Sequence, residues 1–250
     1  MKAMILAAGL GTRLKPWTLE HPKALVPVGG VPMFERVILR LRDEGFDRIV
    51  VNVHHFADQI VEFLNHNDFG IEIKVSDESG QLLETGGGIA HAAGLIGELG
   101  DGPVLVHNVD ILSDAPLSGL MEYHDQKGND VTLLTSGRES SRKLMFDRSS
   151  QLIGWHNLKS GEYRPASVEK KVNEIEGISE RAFSGIYVLG DKALNRLVES
   201  WKEAGEGAYP IMDFFLGFPE DIRIGGYDFS DLHLIDIGKP ETLEQANNLI

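Results

Sequence analysis

The sequence predicts an α/β fold in which a parallel, doubly wound sheet carries helices on both faces. Two observations predict it. Short apolar segments of strand length alternate with segments whose apolar residues recur at helical spacing. The first apolar segment also runs directly into a glycine-containing loop, at the sheet edge where such folds hold ligands.

The elements follow in order. Lys2–Ala7 is an apolar strand. Pro32–Glu44 reads as a helix: Met33, Val37, Ile38 and Leu41 share one face, Pro32 suits the first turn, and Gly45 is a C-terminal cap. Arg48–Val53 is a buried strand, Ala57–Leu64 a helix and Ile71–Val75 a strand. A triple-glycine turn leads into a helix over Gly88–Leu95. Pro103–His107 is a strand ending at Asn108-Val109-Asp110, followed by a helix over Leu117–His124 and a strand over Val131–Leu134. Further on, Lys143–Phe146 and Leu152–Trp155 read as short antiparallel strands, and polar Ser160–Arg181 as a loop or lid. Ala182–Val188 returns to strand, Lys192–Trp201 and Ile211–Phe215 are helical, Ile222–Gly225 and His233–Asp236 are strands, and Thr242–Leu249 is a closing helix. No linker divides the chain, so residues 1–250 read as one domain with an inserted subdomain.

Composition narrows the function classes. With 250 residues, 42% hydrophobic and 25% charged, the chain can bury a full core. No apolar run approaches the length needed to span a bilayer, and Met1-Lys2 leads straight into the first strand rather than a secretion signal. There is no cysteine, hence no disulfide framework and no thiolate chemistry, and a cytoplasmic location is expected. A net charge of −14 argues against nucleic acid and anionic membranes as partners. A site for small anions must then be made locally, from Arg, Lys, metal and backbone N–H groups.

The stretch from Leu6 through Thr18, followed by Pro22-Lys23, has that character. Small residues Ala7 and Ala8 let a flat group lie against the backbone. A loop carrying Gly9 and Gly11 can turn N–H groups toward phosphates, and Arg13 and Lys23 add positive charge. The dinucleotide pattern is excluded because Leu14 occupies its third glycine position. The G-x-x-x-x-G-K-[ST] pattern is absent too: the one Gly-Lys pair, Gly238-Lys239, is followed by Pro240, and His233 stands at the first glycine position.

Gly9-x-Gly11-Thr12-Arg13 with Pro16, Thr18 and Pro22-Lys23 resembles the signature of the sugar-1-phosphate nucleotidyltransferases. Leu83-Glu84-Thr85-Gly86-Gly87-Gly88-Ile89 resembles the segment that closes over the base in the uridylyltransferases of that family. Phe183-Ser184-Gly185-Ile186-Tyr187 resembles its sugar-pocket strand, and Asp236-Ile237-Gly238-Lys239-Pro240-Glu241 its C-terminal metal-binding motif. The resemblance covers almost the whole chain. It implies a three-layer α/β/α sandwich with a mixed, mainly parallel Rossmann-like sheet. Residues 1–136 would form the nucleotide-binding half, and 137–250 the sugar-binding half with its small antiparallel insertion. The implied reaction joins a nucleoside triphosphate to a sugar 1-phosphate, releases pyrophosphate and requires Mg²⁺. The chain ends at Ile250, after the closing helix, so one activity is expected, without the hexapeptide-repeat domain of larger bifunctional relatives.

The resemblance also implies roles. Asp110 and Asp236 would hold the metal; each follows an apolar strand, where an aspartate equally suits a turn or helix cap. Arg13 would grip the β- and γ-phosphates, and Lys23 the α-phosphate or the sugar phosphate. Nucleotide contacts would come from Leu6, Ala7, Ala8, Gly9, Gly11 and Thr12, with Thr85, Gly86 and Gly87 as the opposite wall. Asn108 would touch ribose or sugar, and Ser184 and Gly185 would line the sugar pocket. The triple glycine and short length point to UTP, with N-acetylmuramate 1-phosphate or another hexose 1-phosphate as acceptor. A GTP-dependent mannose-1-phosphate guanylyltransferase is the nearest alternative, and a non-catalytic nucleotide-sugar-binding regulator is another. Two departures stand out. Val109-Asp110 replaces the family's Gly-Asp, and Gly154-Trp155-His156-Asn157 stands where the sugar-gripping Glu-Lys-Pro motif belongs. His54-His55 reads as a strand end, Trp155 suits either sugar stacking or edge packing, and Glu169, Glu174, Glu176 and Glu180 read as a solvated acidic face.

Overall fold

The computed structural model describes all residues except 99, 101, 173–176, 220, 230 and 250. Strand β1 (Lys2–Leu6) is followed by three single-turn 3₁₀ helices (Thr12–Leu14, Trp17–Leu19, Lys23–Leu25) and a ribbon of β2 (Pro27–Val28) and β3 (Val31–Pro32). Then come α1 (Met33–Asp43), β4 (Arg48–Val53), α2 (Ala57–His66), β5 (Glu72–Asp77), α3 (Glu84–His91), α4 (Ala93–Glu98), β6 (Val104–Asn108), β7 (Ile111–Ser113), α5 (Leu117–Lys127) and β8 (Val131–Ser136). The second half runs β9 (Arg142–Phe146), β10 (Leu152–Asn157), β11 (Glu162–Arg164), α6 (Ser167–Val172), β12 (Ser179–Leu189), α7 (Asp191–Glu203), α8 (Ile211–Leu216), β13 (Ile224–Asp228), β14 (Leu234–Asp236) and α9 (Pro240–Leu249).

The main sheet has the order β13-β8-β12-β6-β1-β4-β5. It is mixed and mainly parallel: β12 alone among these seven runs against its neighbours β6 and β8. This is the mixed, mainly parallel sheet that the resemblance implies; apolar alternation alone carries no direction and does not single out β12. The N-terminal end of β12 also pairs with β9, which starts an antiparallel β9-β10-β11 ladder. β12 therefore spans both ladders, and its pairing with β8 is interrupted between Phe183 and Tyr187, where Gly185 lies at φ +81°.

Each face of the sheet carries a core. Ala3, Ile5, Leu105, Ile186 and Val188 point to one face, beneath α1, α5 and α9. Met4, Val104, Val106, Tyr187 and Leu189 point to the other, beneath α3, α7 and α8. This is the three-layer sandwich that the strand alternation requires. Helix α1 buries Met33, Phe34, Val37, Ile38 and Leu41, each worth about 2 kcal/mol when fully removed from water. It stops at Gly45 (φ +87°), whose geometry lets the Phe46 N–H donate to the Leu41 carbonyl at 2.9 Å.

Two segments differ from the sequence reading. The three glycines do not precede a helix; they form its middle, buried in α3. Tertiary packing outweighs their poor helix propensity. A Cβ on Gly86 would sit 2.8 Å from the Tyr209 carbonyl oxygen, and one on Gly88 would sit 2.5 Å from Glu78 Oε1. The segment Ser160–Arg181 is also not one loop: it contains β11, α6 and the start of β12. Of the acidic group, Glu174 and Glu176 lie outside the described residues, and Glu180 pairs with His156 Nδ1 at 2.8 Å.

Candidate functional site

Parallel register builds the site. Leu6 at the end of β1 lies beside Asn52 of β4 and Asn108 of β6. These three strand ends open onto a cleft of about 370 Å³, whose rim carries Ala8, Gly9, Gly11, Arg13 and Lys23 on one side and Leu82, Glu84 and Thr85 on the other. It lies at the carboxyl edge of the parallel strands.

The loop after β1 needs glycine for two different reasons. Gly11 sits at φ +60°, and a Cβ there would meet Lys23 Cβ at 2.8 Å and Thr18 Cγ2 at 2.9 Å. Its carbonyl accepts the Leu14 N–H at 2.8 Å and the Thr18 hydroxyl at 2.9 Å, so the turn closes on itself. A Cβ at Gly9 would meet nothing within 4 Å, which leaves open backbone beside the cleft.

Asp110 follows β6 directly and ion-pairs with Lys23 across 87 residues of sequence; the two side chains are 16% and 11% exposed. Ribbon β7–β14 sets Asp236 opposite Ile111, and the Ile237 N–H donates to the Asp110 carbonyl at 3.0 Å. The backbone segments that carry the two aspartates therefore adjoin. Asp236 Oδ1 accepts the Gly238 N–H at 2.8 Å, and a Cβ on Gly238 would lie 2.7 Å from Asp236 Oδ1 and 2.6 Å from Arg13 Nη2. Arg13, Lys23, Asp110 and Asp236 thus gather around one end of the cleft. Among the described residues the Arg13 guanidinium has no ion-pair or hydrogen-bond partner, while Lys23 holds Asp110. A partly buried pair of this kind depends on both members, because removing one strands the other away from water.

Behind the floor lies a polar chain. The Ala7 N–H donates to Asn52 Oδ1 at 2.8 Å, and Asn52 Nδ2 donates to Glu78 Oε1 at 2.7 Å. Glu78 is buried, and burial pushes its carboxyl above the ordinary range against the hydrogen bond from Asn52. Glu84 at the rim has φ +62°, a left-handed conformation rare for a non-glycine residue. Asn52→Ala would orphan both Ala7 N–H and Glu78; urea unfolding should show a loss of about 1–3 kcal/mol. Glu78→Gln keeps an acceptor for Asn52 and should stay within ~1 kcal/mol of the parent. Equal losses in the two variants would contradict this account.

The nucleotidyl transferase family model matches residues 2–250. The chain belongs to this family. It is 40% identical over 146 residues to an N-acetylmuramate alpha-1-phosphate uridylyltransferase of Caulobacter vibrioides, covering 56% of this chain and 59% of that protein. It is 30% identical over 244 residues to a mannose-1-phosphate guanyltransferase of Aspergillus oryzae, covering 96% of this chain and 62% of that one. The chain therefore spans about three-fifths of the length of these curated relatives. The crystal structure of HddC from Yersinia pseudotuberculosis complexed with GMP-PN superposes with a TM-score of 0.73 at 21% identity, covering 99% of this chain and 98% of that one. This last likeness concerns the fold.

Within this family member, Leu6, Ala8, Gly9, Gly11, Thr12, Arg13, Lys23, Thr85, Asn108 and Asp110 line the cleft. Ala7, Gly86 and Gly87 are buried behind it, and the N–H groups of both glycines are taken by the Tyr209 carbonyl at 2.8 and 2.9 Å. Their part in the wall is to let Tyr209 approach closely. Ser184 is also buried, and its hydroxyl accepts the Ile186 N–H at 3.1 Å. It shapes the bulge of β12 rather than facing a cavity. Gly185 abuts Asn108, whose Nδ2 would lie 2.8 Å from an added Cβ. Sequence reasoning missed Asn52, Glu78 and Glu84. Asn52 left a readable signal, a lone amide in the aliphatic run Ile49-Val50-Val51-Asn52-Val53.

Proposed function

We propose that the protein transfers a nucleotidyl group from a nucleoside triphosphate, UTP by preference, to a sugar 1-phosphate, with N-acetylmuramate 1-phosphate the leading acceptor. The observation that carries this reading is the gathering of Arg13, Lys23, Asp110 and Asp236 at one end of a cleft floored by small residues. The preference for uridine and N-acetylmuramate rests on the uridylyltransferase relative, the more identical of the two aligned.

In this reading a phosphate oxygen of the acceptor forms a bond to the α-phosphorus of the nucleotide. The bond from that phosphorus to its bridging oxygen breaks, and pyrophosphate leaves with the electron pair. A phosphate monoester has its second pKa near 6, so the nucleophile is already dianionic at neutral pH and no general base is needed. The work is to bring polyanions together and hold them in line. Arg13, unpartnered among the described side chains, neutralises the departing pyrophosphate. Lys23, held between the glycine loop and Asp110, faces the α-phosphate, and open backbone at Gly9 admits the nucleotide.

Asp110 and Asp236 would hold Mg²⁺. Among the described residues no cluster of three His, Asp or Glu side chains could hold a metal alone. Two neighbouring carboxylates completed by phosphate and water oxygens nevertheless suit magnesium, which usually keeps such a shell. When bound, the ion supplies charge neutralisation and Lewis acidity at the phosphates.

A second reading, GTP with mannose 1-phosphate, is favoured by the guanyltransferase match over 96% of this chain. Purified protein with Mg²⁺, four nucleoside triphosphates and a panel of sugar 1-phosphates separates the two by pyrophosphate release. UTP with N-acetylmuramate 1-phosphate is the pair expected to turn over fastest; GTP preference selects the second reading, and silence with every pair ends both.

A further inference from the structure

A second cavity, of about 490 Å³, lies between β12, the β9–β11 ladder and α8. Its lining includes three arginines, Arg138, Arg142 and Arg164, against a single carboxylate, Glu162, in a protein whose net charge is −14. The three arginines are exposed and converge on one concave space, where an anion would relieve the repulsion between their charges, so the cluster marks a place for an anion.

The three are not equivalent. Arg164 is committed: it ion-pairs with Glu162 at 2.8 Å, feels Asp213 at longer range, and lies over the Trp155 ring at 5.4 Å. Arg138 spends one N–H on the Phe183 carbonyl at 2.9 Å; partial burial of its side chain lowers its pKa, and the charge of Asp236 offsets part of that. Arg142 has no hydrogen-bond or ion-pair partner for its guanidinium among the described residues. Its backbone alone is engaged, with Ser140.

Position connects this cavity to the cleft. Phe183 lines the cavity, and Gly185, two residues along β12, abuts Asn108 of the cleft. Arg138, whose guanidinium donates to the Phe183 carbonyl, also feels the charge of Asp236. An acceptor whose 1-phosphate enters the cleft beside Lys23 would extend its ring past Gly185 and carry its substituents toward Arg142 and Trp155.

We propose that this cavity receives a carboxylate borne by the acceptor sugar, with Arg142 and Arg138 as the specificity-determining residues. The acceptor class is thus a sugar 1-phosphate with a second, carboxylic acid group. Bidentate guanidinium–carboxylate geometry favours this partner. The inference rests on the nucleotidyl-transfer reading above and deepens it.

The test compares N-acetylmuramate 1-phosphate with N-acetylglucosamine 1-phosphate, the same ring without the lactyl acid, at saturating UTP and Mg²⁺. The ratio of their kcat/KM values should favour the acid by about 10–150-fold, as expected for one charge-assisted hydrogen-bonded pair. Arg142→Ala and Arg138→Ala should each drive that ratio toward one, and Arg142→Lys should restore part of it. A ratio near one in the unmodified protein, or one untouched by both alanine variants, overturns the proposal. So does a hexose 1,6-bisphosphate that outperforms the acid, since the cavity would then be a phosphate site. Calorimetric titration with the same two sugar phosphates separates the layers of the argument. Arg142-dependent binding of the acid without turnover keeps the cavity assignment and removes the reaction; turnover without carboxylate preference does the reverse.

Discussion

Asp110→Asn is expected to lower kcat by about 10³-fold, roughly 4 kcal/mol of transition-state stabilisation, while nucleotide binding stays measurable. The substitution keeps the volume and removes the charge. It takes away one of two neighbouring carboxylates and leaves Lys23, 11% exposed, without its counter-ion. Asp236→Asn should cost a similar factor, because β14 pairs with β7 so that the backbone next to Asp236 bonds the Asp110 carbonyl. If they act as one unit, the double variant will be hardly worse than the weaker single one. Steady-state kinetics at saturating nucleotide, paired with nucleotide titration, reads this directly. An Asp110→Asn protein within tenfold of the parent would remove Asp110 from the chemistry. Two inactive but nucleotide-binding single variants would fit an enzyme, whereas a regulator that only binds would show no turnover in the parent either.

The second large effect concerns stability in acid. His107 lies in the middle of the sheet on β6, only 1% exposed, with Nδ1 2.8 Å from the Asn108 carbonyl oxygen. Burial lowers its pKa to about 4, against the hydrogen bond to that carbonyl. The unfolded chain takes up a proton near pH 6.5, and the folded protein does so only near pH 4. Between those values the unfolded state binds more protons, so stability falls as pH falls through the window. The loss is on the order of 3 kcal/mol and levels off below about pH 4. Glu78 acts in the other direction: its raised pKa makes its contribution decline as pH rises above its unfolded value of 4.5. Urea unfolding of the parent and of His107→Gln at pH 7, 5.5 and 4.5 isolates the histidine. The difference between the two should change by most of that amount across the series; parallel curves would show that His107 titrates normally.

Much of the frame was legible in the chain. Strand β1, the glycine loop, α1 with its stop at Gly45, and β4 were readable because each is encoded within a few residues by apolar period and turn chemistry. The candidate residues Arg13, Lys23, Asp110 and Asp236 were found by motif and by their places after apolar strands. The α3 glycines are not legible as helix, because a glycine run suits a turn until its neighbours in space are known. Tyr209 and Trp201, which exclude a side chain at Gly86 and Gly87, come from distant segments. The burial of Ser184 was hidden for the same reason. So was the cavity of Arg138, Arg142 and Arg164, whose residues read singly as surface charges.

The alternation of strands and helices, and a first strand that ends in a loop fit for phosphates, can be read from the chain alone. Those properties are local: side-chain period, φ preference and the reach of a turn are settled among neighbours along the chain. The direction of β12 against its neighbours, the approach of the Asp110 and Asp236 segments and the sharing of one cavity by three arginines come from long-range packing. Such facts depend on strand order and register, which are set by the packing of whole faces against each other.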